Sequence, residues 1–537
     1  MRPGETVVDA LTRVHGLPIL QRSIRYHRPR APFCGIGLCT QCLVTVDGRP
    51  NVRACRYEPT PGDAIATENA WPSPNFDLLG ILDFVFARGI DTLHGFRRPG
   101  WATPLYHRIV RRLAGYAKVP EATPSEPVPR GEVRVTDYLV IGSGVAGRAA
   151  AERLREANGT SLLIDEGLIG SPTAEPTSLA DTTAVFLPPP VPSRERPFRL
   201  VGRRARGVGL IVQASKVIVA NGGYDASLLF AGNDRPGVMT ADGALRLLEK
   251  GADRLRTPLV LLGGGIRAAS VLGRLGGRVS AVVAPGEIQP ELVRQATDLS
   301  IPLYPRTLVV AAHGRRRLSS IALRPRGRGN PFTLPCQTIV LAHRRLPHSQ
   351  LLFQSGCRME WHADPGAYFP RLSEGFGTSV PGLFAAGEAA GYFDPEAAIA
   401  SGRSAAEGAL GLSPSAHSPV PQSAGRPSPN ELESYFREWL RLRGGRSKSI
   451  ACACEDVLVE ELLAASSRGY RGIEVIKRYT GIGTGLCQGR YCLPDALLLL
   501  SILENRPPAE VGYITQRPPV VPAPLEVFAG LPASELP

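Results

Sequence analysis

The chain has 537 residues, enough for three or four domains, and its hydrophobic content of 43% is ordinary for a soluble globular protein. No apolar run approaches the ~20 residues of a membrane span and the first residues lack the apolar stretch of an export signal, so we expect a cytoplasmic protein without a membrane span. The formal net charge is +14, but the basic residues are spread over the whole chain, a pattern that excludes a nucleic-acid binder and favours an acidic protein partner.

The first predicted elements are a short helix at Thr6–His15 and a cysteine-rich segment that follows it. We call Cys34, Cys39, Cys42 and Cys55 the first cysteine site; their spacing is C-x4-C-x2-C-x12-C. The first three positions have the spacing of the plant-type ferredoxin loop. A strand at Leu43–Val46 and a turn at Asp47-Gly48 would return Cys55 to that loop. The pattern predicts a [2Fe-2S] cluster, and a structural zinc site with four thiolates is the alternative.

This segment also resembles a known family. The run SIRYHRPRAPFCGIGLCTQCLVTVDGRPNVRAC (residues 23–55) is similar to the ferredoxin-like domain of the sarcosine oxidase alpha-subunit, opine oxidase, proline dehydrogenase and hydrogen cyanide synthase group. Residues 75–96 and 104–120 resemble the segment that joins this domain to a flavoprotein in fused members. The resemblance implies a β-grasp ferredoxin-like domain at the start of the chain.

A glycine-rich turn comes next, and we call it the first glycine turn. A strand at Asp137–Ile141 runs into Gly142, Gly144 and Gly147, and a helix at Arg148–Ala157 and a strand at Ser161–Ile164 follow. The second strand ends at Asp165 and Glu166. This order predicts a dinucleotide-binding fold, because the glycines let a pyrophosphate approach the helix N-terminus and the acids can bind ribose hydroxyls.

Two further motifs resemble FAD-dependent reductases and predict FAD at this turn. Residues 217–223 are similar to their central strand end. Gly387 and Glu388 lie in a motif, residues 381–388, whose acid holds the flavin ribityl chain in that class. NAD or another nucleotide is the alternative, since a nicotinamide nucleotide occupies the equivalent site in sarcosine oxidase alpha-subunits.

The second glycine turn is Gly263–Gly265, which follows a predicted strand at Leu259–Leu262. It begins another Rossmann-like unit, in which Gly263 and Gly265 are the candidate nucleotide-binding residues. The next strand, Val279–Val283, ends at Ala284 without an acid for an NAD ribose. We therefore expect NAD(P) to bind weakly here, if at all.

The remaining clustered cysteines form the second cysteine site, which consists of Cys452, Cys454, Cys487 and Cys492. Their spacing is C-x-C-x32-C-x4-C, and the amphipathic segment between the two pairs predicts helices that bring the pairs together. The spacing resembles the helical bacterioferritin-associated-ferredoxin-like (BFD-like) [2Fe-2S] domain of the same oxidase group, with zinc as the alternative. Clustered cysteines in a chain without an export signal indicate metal or redox sites, whereas Cys336 and Cys357 stand alone and are expected to be buried thiols.

The predicted fold class is therefore an α/β multidomain protein with a β-grasp ferredoxin-like domain, a central domain of the two-dinucleotide, Rossmann-like type and a small helical BFD-like domain. The expected divisions are 1–75 for the ferredoxin-like domain, 76–133 for a helical connector, 134–412 for the FAD/NAD(P)-type domain with a second Rossmann-like unit at about 240–345, 413–430 for a linker, 431–505 for the BFD-like domain and 506–537 for a Pro-rich tail.

The sequence contains no convincing set of catalytic acid, base or nucleophile, so cofactors are expected to carry the chemistry. In the family that the chain resembles, a separate flavoprotein subunit oxidises the amine. The resemblance thus implies an electron-transferring subunit of a hetero-oligomeric amine or amino-acid dehydrogenase or oxidase, of the sarcosine, proline, opine or glycine type, with an amine-oxidase-like flavoprotein as its partner. A self-sufficient NAD(P)H-dependent reductase and a scaffold that has lost its flavin are the alternatives.

Overall fold

The computed structural model describes residues 2, 4–87, 89, 100–104, 128–167, 178–204, 207–252, 254–327, 329–362, 366–415, 429–442 and 448–536. The chain divides into two compact units. Unit 1 comprises Met1–Glu121, Asp225–Arg344 and Gly425–Tyr513, and unit 2 comprises Ala122–Tyr224, Arg345–Ala424 and Ile514–Pro537. Most of the predicted connector and linker lies outside the described residues. No helix among those residues is long and apolar enough to cross a membrane.

The N-terminal segment of unit 1 carries the first cysteine site. The predicted helix is confirmed at Val7–His15. It begins after Thr6 because the Thr6 hydroxyl and the Asp9 carboxylate form a capping box there. Leu43–Val46 is the middle strand of an antiparallel sheet, between Arg49–Arg53 and Ile65–Thr67. The other elements are a strand pair, Gln21–Arg22 with Pro29–Arg30, the 3-10 turns Leu78–Gly80 and Gly100–Ala102, and the helix Ile81–Val85.

The middle segment of unit 1 is the predicted second Rossmann-like unit. Its parallel sheet has the strand order Val238–Thr240, Thr338–Leu341, Leu259–Leu262, Val279–Val283, Leu303–Tyr304. The helices are Ala241–Glu249, Ile266–Leu275 and Pro290–Asp298, with a 3-10 turn at Gly276–Arg278. An antiparallel sheet of Thr307–His313, Ser320–Pro325 and Phe332–Pro335 follows. The strands of the parallel sheet are nearly continuous apolar runs, as expected for strands that are covered on both faces.

The C-terminal segment of unit 1 is mostly helical, as predicted. Its helices are Pro429–Leu442, Val459–Ser467, Ile473–Thr480, Leu493–Glu504 and Pro508–Val511, and the hairpin Ile450–Cys452 with Val457–Leu458 carries the first cysteine pair. The residues before Cys487 form turns that include Gly483 at φ +77°.

Unit 2 is built on a seven-stranded sheet. The strand order is Ser178–Leu179, Ser161–Ile164, Glu132–Ile141, Gly209–Val219, Phe198–Arg203, Thr183–Phe186, and Leu383–Ala385 also pairs with Gly209–Val219. The other elements are Val145–Glu156, Gln350–Gln354, Pro395–Leu410 and Leu525–Ala529 (helices), Glu374–Phe376, Gly387–Ala390 and Ala533–Glu535 (3-10 turns) and Gly223–Asp225, Arg345–Pro347, Met359–His362 and Ala367–Pro370 (strands).

Two predicted boundaries in unit 2 were wrong. The first strand starts at Glu132 rather than Asp137, because residues 132–135 pair in parallel with residues 210–213. The helix after the first glycine turn starts at Val145 rather than Arg148, since Gly144 is already its N-cap. The C-terminal tail packs on this unit: the Val520 amide donates to the Val185 carbonyl at 2.9 Å, and Val520 joins the main hydrophobic core.

Candidate functional site

The first cysteine site is a compact group of four buried sulfurs. Burial opposes ionisation of Cys34, yet hydrogen bonds from the Cys39 and Cys55 thiols and from the amides of Cys39 and Ile36 lower the pKa of Cys34 well below its usual value. The Cys42 sulfur is in turn a hydrogen-bond partner of Cys55. The structure thus brings together all four residues that the spacing selected.

The backbone conformation of the loop between Cys34 and Cys39 requires glycine at two positions. Gly35 and Gly37 have φ of +66° and +77°, in the left-handed region that favours glycine. A Cβ on Gly35 would lie 2.7 Å from the Cα of Gly243, so the cysteine loop packs directly on the helix Ala241–Glu249. The predicted hairpin then returns Cys55: the Ala54 amide donates to the Cys42 carbonyl at 2.9 Å.

The second cysteine site is a ring of four sulfurs. Hydrogen bonds from the Cys454 and Cys492 thiols lower the pKa values of Cys452 and Cys487 against the effect of burial. Backbone amides of Gly483, Gly489 and Tyr491 donate to the same two sulfurs. Such amides stabilise thiolate charge, as the ligands of an iron–sulfur cluster require.

A cavity adjoins this ring of sulfurs. The cavity is lined by Cys452, Cys454, Cys487 and Cys492, and it also reaches Cys39 and Thr40 of the first cysteine site. Among the described residues, no group of three or more His, Cys, Asp or Glu side chains has the geometry to hold a single metal ion. Four thiolates that border a void fit a binuclear cluster, whose ligands are divided between two irons.

The two cysteine sites face each other within unit 1. The Thr40 hydroxyl donates to Cys454 Sγ at 3.2 Å. The Arg53 guanidinium donates to the carbonyl of Cys39, which belongs to the first cysteine site, at 3.3 Å. It also donates at 3.4 Å to the carbonyl of Leu486, which directly precedes Cys487 of the second site. Nothing in the spacing of Thr40 and Arg53 indicates that these loops meet, so the sequence alone does not reveal these two residues as part of the site.

Buried ion pairs connect the three chain segments of unit 1. Arg30 pairs with Asp234 at 2.7 Å and also with Asp456, and Arg28 pairs with Asp234 at 2.6 Å. Burial would raise the pKa of Asp234, but the two arginines lower it far below the usual value. The network joins residues from the ferredoxin-like, Rossmann-like and C-terminal segments around the two cysteine sites.

The first glycine turn, in unit 2, has room for a ligand at its middle glycine. A Cβ on Gly142 would lie 2.3 Å from the Ala220 carbonyl oxygen and one on Gly147 1.8 Å from the Gly142 carbonyl oxygen, so these two glycines allow close backbone packing. A Cβ on Gly144 would meet none of the described atoms within 4 Å. Gly144 is also the N-cap of the helix Val145–Glu156, and no side chain of the described residues caps that end. This geometry fits a dinucleotide pyrophosphate at the helix N-terminus.

The acids predicted to bind the nucleotide take part in local contacts. The Asp165 carboxylate accepts from the Ser143 amide at 2.8 Å and from the Gly167 amide at 2.7 Å, so it holds the glycine turn against its own strand. Glu388 forms a two-point ion pair with Arg345, at 2.6 and 2.7 Å. Arg345 therefore belongs to this site as well, although the abundance of Arg hid it in the sequence. Glu166 is half-buried beside Asp165.

The second glycine turn, in unit 1, packs closely against neighbouring backbone. A Cβ on Gly263 would lie 2.5 Å from the Ala342 carbonyl oxygen and one on Gly264 2.3 Å from the Glu287 carbonyl oxygen. The Gln289 amide donates to the Gly264 carbonyl at 2.8 Å. Gly265 is the N-cap of the helix Ile266–Leu275. The segment after Val283 thus packs against Gly264, the residue before the N-cap.

The fold and these sites define an iron–sulfur protein with a dinucleotide-binding fold, and comparisons with known proteins agree. Residues 1–70 match the 2Fe-2S iron-sulfur cluster binding domain, and residues 446–531 match the sarcosine oxidase A3 domain. The crystal structure of L-proline dehydrogenase from P. horikoshii has the same overall fold, with a TM-score of 0.65 at 18% identity, over 98% of this chain and 94% of that chain.

Curated proteins that resemble this chain come from one group. The sarcosine oxidase alpha-subunit of Rhizobium meliloti is 29% identical over 98% of this chain and 56% of that protein, so the chain spans about half of that relative. An opine oxidase subunit from Agrobacterium tumefaciens is 25% identical over 74% of this chain and 92% of that protein. Hydrogen cyanide synthase subunit HcnB of Pseudomonas aeruginosa is 27% identical over 60% and 77%. The predicted resemblance to the alpha-type subunits of this group is confirmed.

Proposed function

We propose that this chain is the electron-transferring iron–sulfur and flavin subunit of a hetero-oligomeric amine or amino-acid dehydrogenase or oxidase. The observation that carries the proposal is the pair of four-thiol sites that face each other in unit 1. Bound [2Fe-2S] clusters would supply one-electron carriers at these sites. Relatives that are named as subunits of sarcosine oxidase and opine oxidase support the same role.

The residues of this chain would hold the clusters and set their environment. Cys34, Cys39, Cys42 and Cys55 are the proposed ligands of the first cluster, and Cys452, Cys454, Cys487 and Cys492 those of the second. The thiolates would be shielded from water by burial, and amides such as that of Gly483 would donate to them. These are the means by which a protein adjusts the reduction potential of a cluster.

For the first glycine turn we propose FAD as the nucleotide. The pyrophosphate would lie at Gly144, where a Cβ would meet none of the described atoms within 4 Å, and at the helix N-terminus, which no described side chain caps. Asp165 would keep the turn in place, with Glu166 near the ribose, while the paired Glu388 and Arg345 would lie toward the ribityl side. At the second glycine turn, the Glu287 backbone packs against Gly264 and the strand Val279–Val283 ends without an acid for a ribose, which argues against NAD(P) in unit 1 and so against the self-sufficient reductase.

The proposed partner is an amine-oxidase-like flavoprotein subunit, at whose flavin a secondary amine or amino acid of the sarcosine, proline, opine or glycine type would be oxidised. The net charge of +14 suits an acidic partner surface. The role of this chain would then be to accept and pass on the electrons.

Two measurements test the proposal. Anaerobically purified chain should contain about four iron atoms and four acid-labile sulfides, the content of two [2Fe-2S] clusters. The isolated chain, mixed with sarcosine, proline, hydroxyproline, glycine or opines and a dye acceptor, should show no turnover. Stoichiometric zinc without labile sulfide would refute the cluster assignment, and robust turnover without a second polypeptide would make this chain the catalytic subunit.

A further inference from the structure

We propose that Thr40 is a positioning residue that raises the reduction potential of the cluster at the second cysteine site, although it belongs to the loop of the first. The inference rests on the proposed function, since it requires a cluster at each site. Its basis is the hydrogen bond from the Thr40 hydroxyl to Cys454 Sγ at 3.2 Å.

The position of Thr40 makes this contact specific. Thr40 directly follows Cys39, and it is 9% exposed. The carbonyls on both sides of its backbone are held: the Arg53 guanidinium donates to the Cys39 carbonyl at 3.3 Å, and the Gln21 side-chain amide donates to the Thr40 carbonyl. With the backbone fixed, the hydroxyl is directed at the sulfur of the other site.

Cys454 differs from the other proposed ligands of the second cysteine site in its exposure. It is half-buried, whereas Cys452, Cys487 and Cys492 are buried. The backbone amides of the C-terminal segment donate to Cys452 and Cys487. Thr40 therefore gives Cys454 a hydrogen-bond donor from the ferredoxin-like segment.

The direction of the effect follows from charge. A hydrogen bond to a cluster thiolate stabilises the more negative, reduced cluster more than the oxidised one, and so it raises the potential. No proton leaves Thr40, because the hydroxyl only donates. The contact thus favours reduction of the second cluster relative to the first and links the potential of one site to the loop of the other.

The test compares Thr40→Val, which removes the hydroxyl at nearly constant volume, with Thr40→Ser, which keeps it. Thr12→Val is the matched control, because the buried Thr12 hydroxyl has no hydrogen-bond partner among the described residues. Each full-length protein is titrated with reductant under anaerobic conditions and followed by electron paramagnetic resonance. The signal of the second site is identified as the one that Cys487→Ala removes.

In Thr40→Val, the reduced-to-oxidised ratio of the second cluster at a fixed potential should fall about tenfold, a shift of about 59 mV to more negative potential. Thr40→Ser and Thr12→Val should titrate as the unmodified protein does. If Thr40→Val retains both clusters with an unchanged potential, or if Thr40→Ser shifts as much as Thr40→Val, the inference is overturned while the proposed function stands. An unmodified protein with one cluster or none would overturn both.

Discussion

The first and second glycine turns each connect a buried parallel strand to a helix whose N-cap is an extended glycine. Gly144 has φ −61° and ψ −178°, and Gly265 has φ −102° and ψ −171°. At the first turn a Cβ on Gly144 would meet none of the described atoms within 4 Å. At the second turn a Cβ on Gly264, the counterpart of Ser143, would lie 2.3 Å from the Glu287 carbonyl oxygen.

The difference arises from the segment after the next strand. After Ile164, the Asp165 carboxylate accepts from the Ser143 amide, and no side chain of the described residues caps the helix N-terminus. After Val283, the chain turns back so that Gln289 donates to the Gly264 carbonyl. The two glycine turns therefore differ in what packs against them, and in both cases the segment after the second strand makes that contact.

The largest expected effect is on bound nucleotide. Gly144→Val should abolish nucleotide binding, because the new side chain would fill the space that the pyrophosphate needs. Gly265→Val is the matched control, since that glycine has the same N-cap position and a similar backbone conformation. Released nucleotide is measured by absorbance after denaturation. Full nucleotide content in Gly144→Val would place the binding site elsewhere.

A second prediction contrasts the ion pairs of the two units. Asp234→Asn leaves Arg28 and Arg30 without their shared carboxylate, and breaking such buried pairs costs about 3–5 kcal/mol. Glu156→Gln in unit 2 removes an exposed partner of Arg403 and should cost about 1 kcal/mol or less. Guanidinium unfolding is followed by cluster absorbance for unit 1 and by nucleotide release for unit 2.

In that experiment Asp234→Asn should lower the midpoint of cluster loss, and Glu156→Gln should leave the midpoint of nucleotide release nearly unchanged. Equal small shifts for both variants would mean that the buried network contributes little to the stability of unit 1.

The third prediction concerns NADH at the second glycine turn. Calorimetric titration of Gly144→Val protein with NADH should show no saturable binding, because the strand after the second glycine turn ends without an acid for the ribose and the Glu287 backbone packs against Gly264. The unmodified protein is titrated in parallel. Tight NADH binding that survives Gly144→Val and is lost in Gly265→Val would contradict this expectation. It would favour the NAD(P)H-dependent reductase.

The smallest expected effect is a difference in alkylation rate between the two cysteines outside the cysteine sites, Cys336 in unit 1 and Cys357 in unit 2. Burial raises the pKa of Cys336 in unit 1 to about 12 and that of Cys357 in unit 2 to about 11. At pH 8 the thiolate fractions are thus on the order of 10⁻⁴ and 10⁻³, so both should be alkylated slowly and Cys357 roughly tenfold faster. Since the thiolate reacts, both rates should rise with pH. Peptide mass analysis after timed alkylation of the folded protein measures them, and fast labelling of Cys336 would contradict its burial.

The sequence by itself determined the features that depend on short-range spacing. The cysteine intervals, with glycines such as Gly35 between them, predicted two compact thiol groups, because a loop of that length can surround only a small core. The alternation of apolar strands, glycine turns and helices predicted both Rossmann-like units for the same local reason.

Only the tertiary structure decided how distant segments meet. Thr40 and Cys454 are 414 positions apart, and no local pattern indicates that they share a hydrogen bond. Nor does the sequence near Gly264 reveal that Glu287 covers it, since a main-chain carbonyl does so and any residue type carries one. Local spacing fixes which side chains can gather around a cofactor, while long-range packing fixes which sites are open and which are in contact.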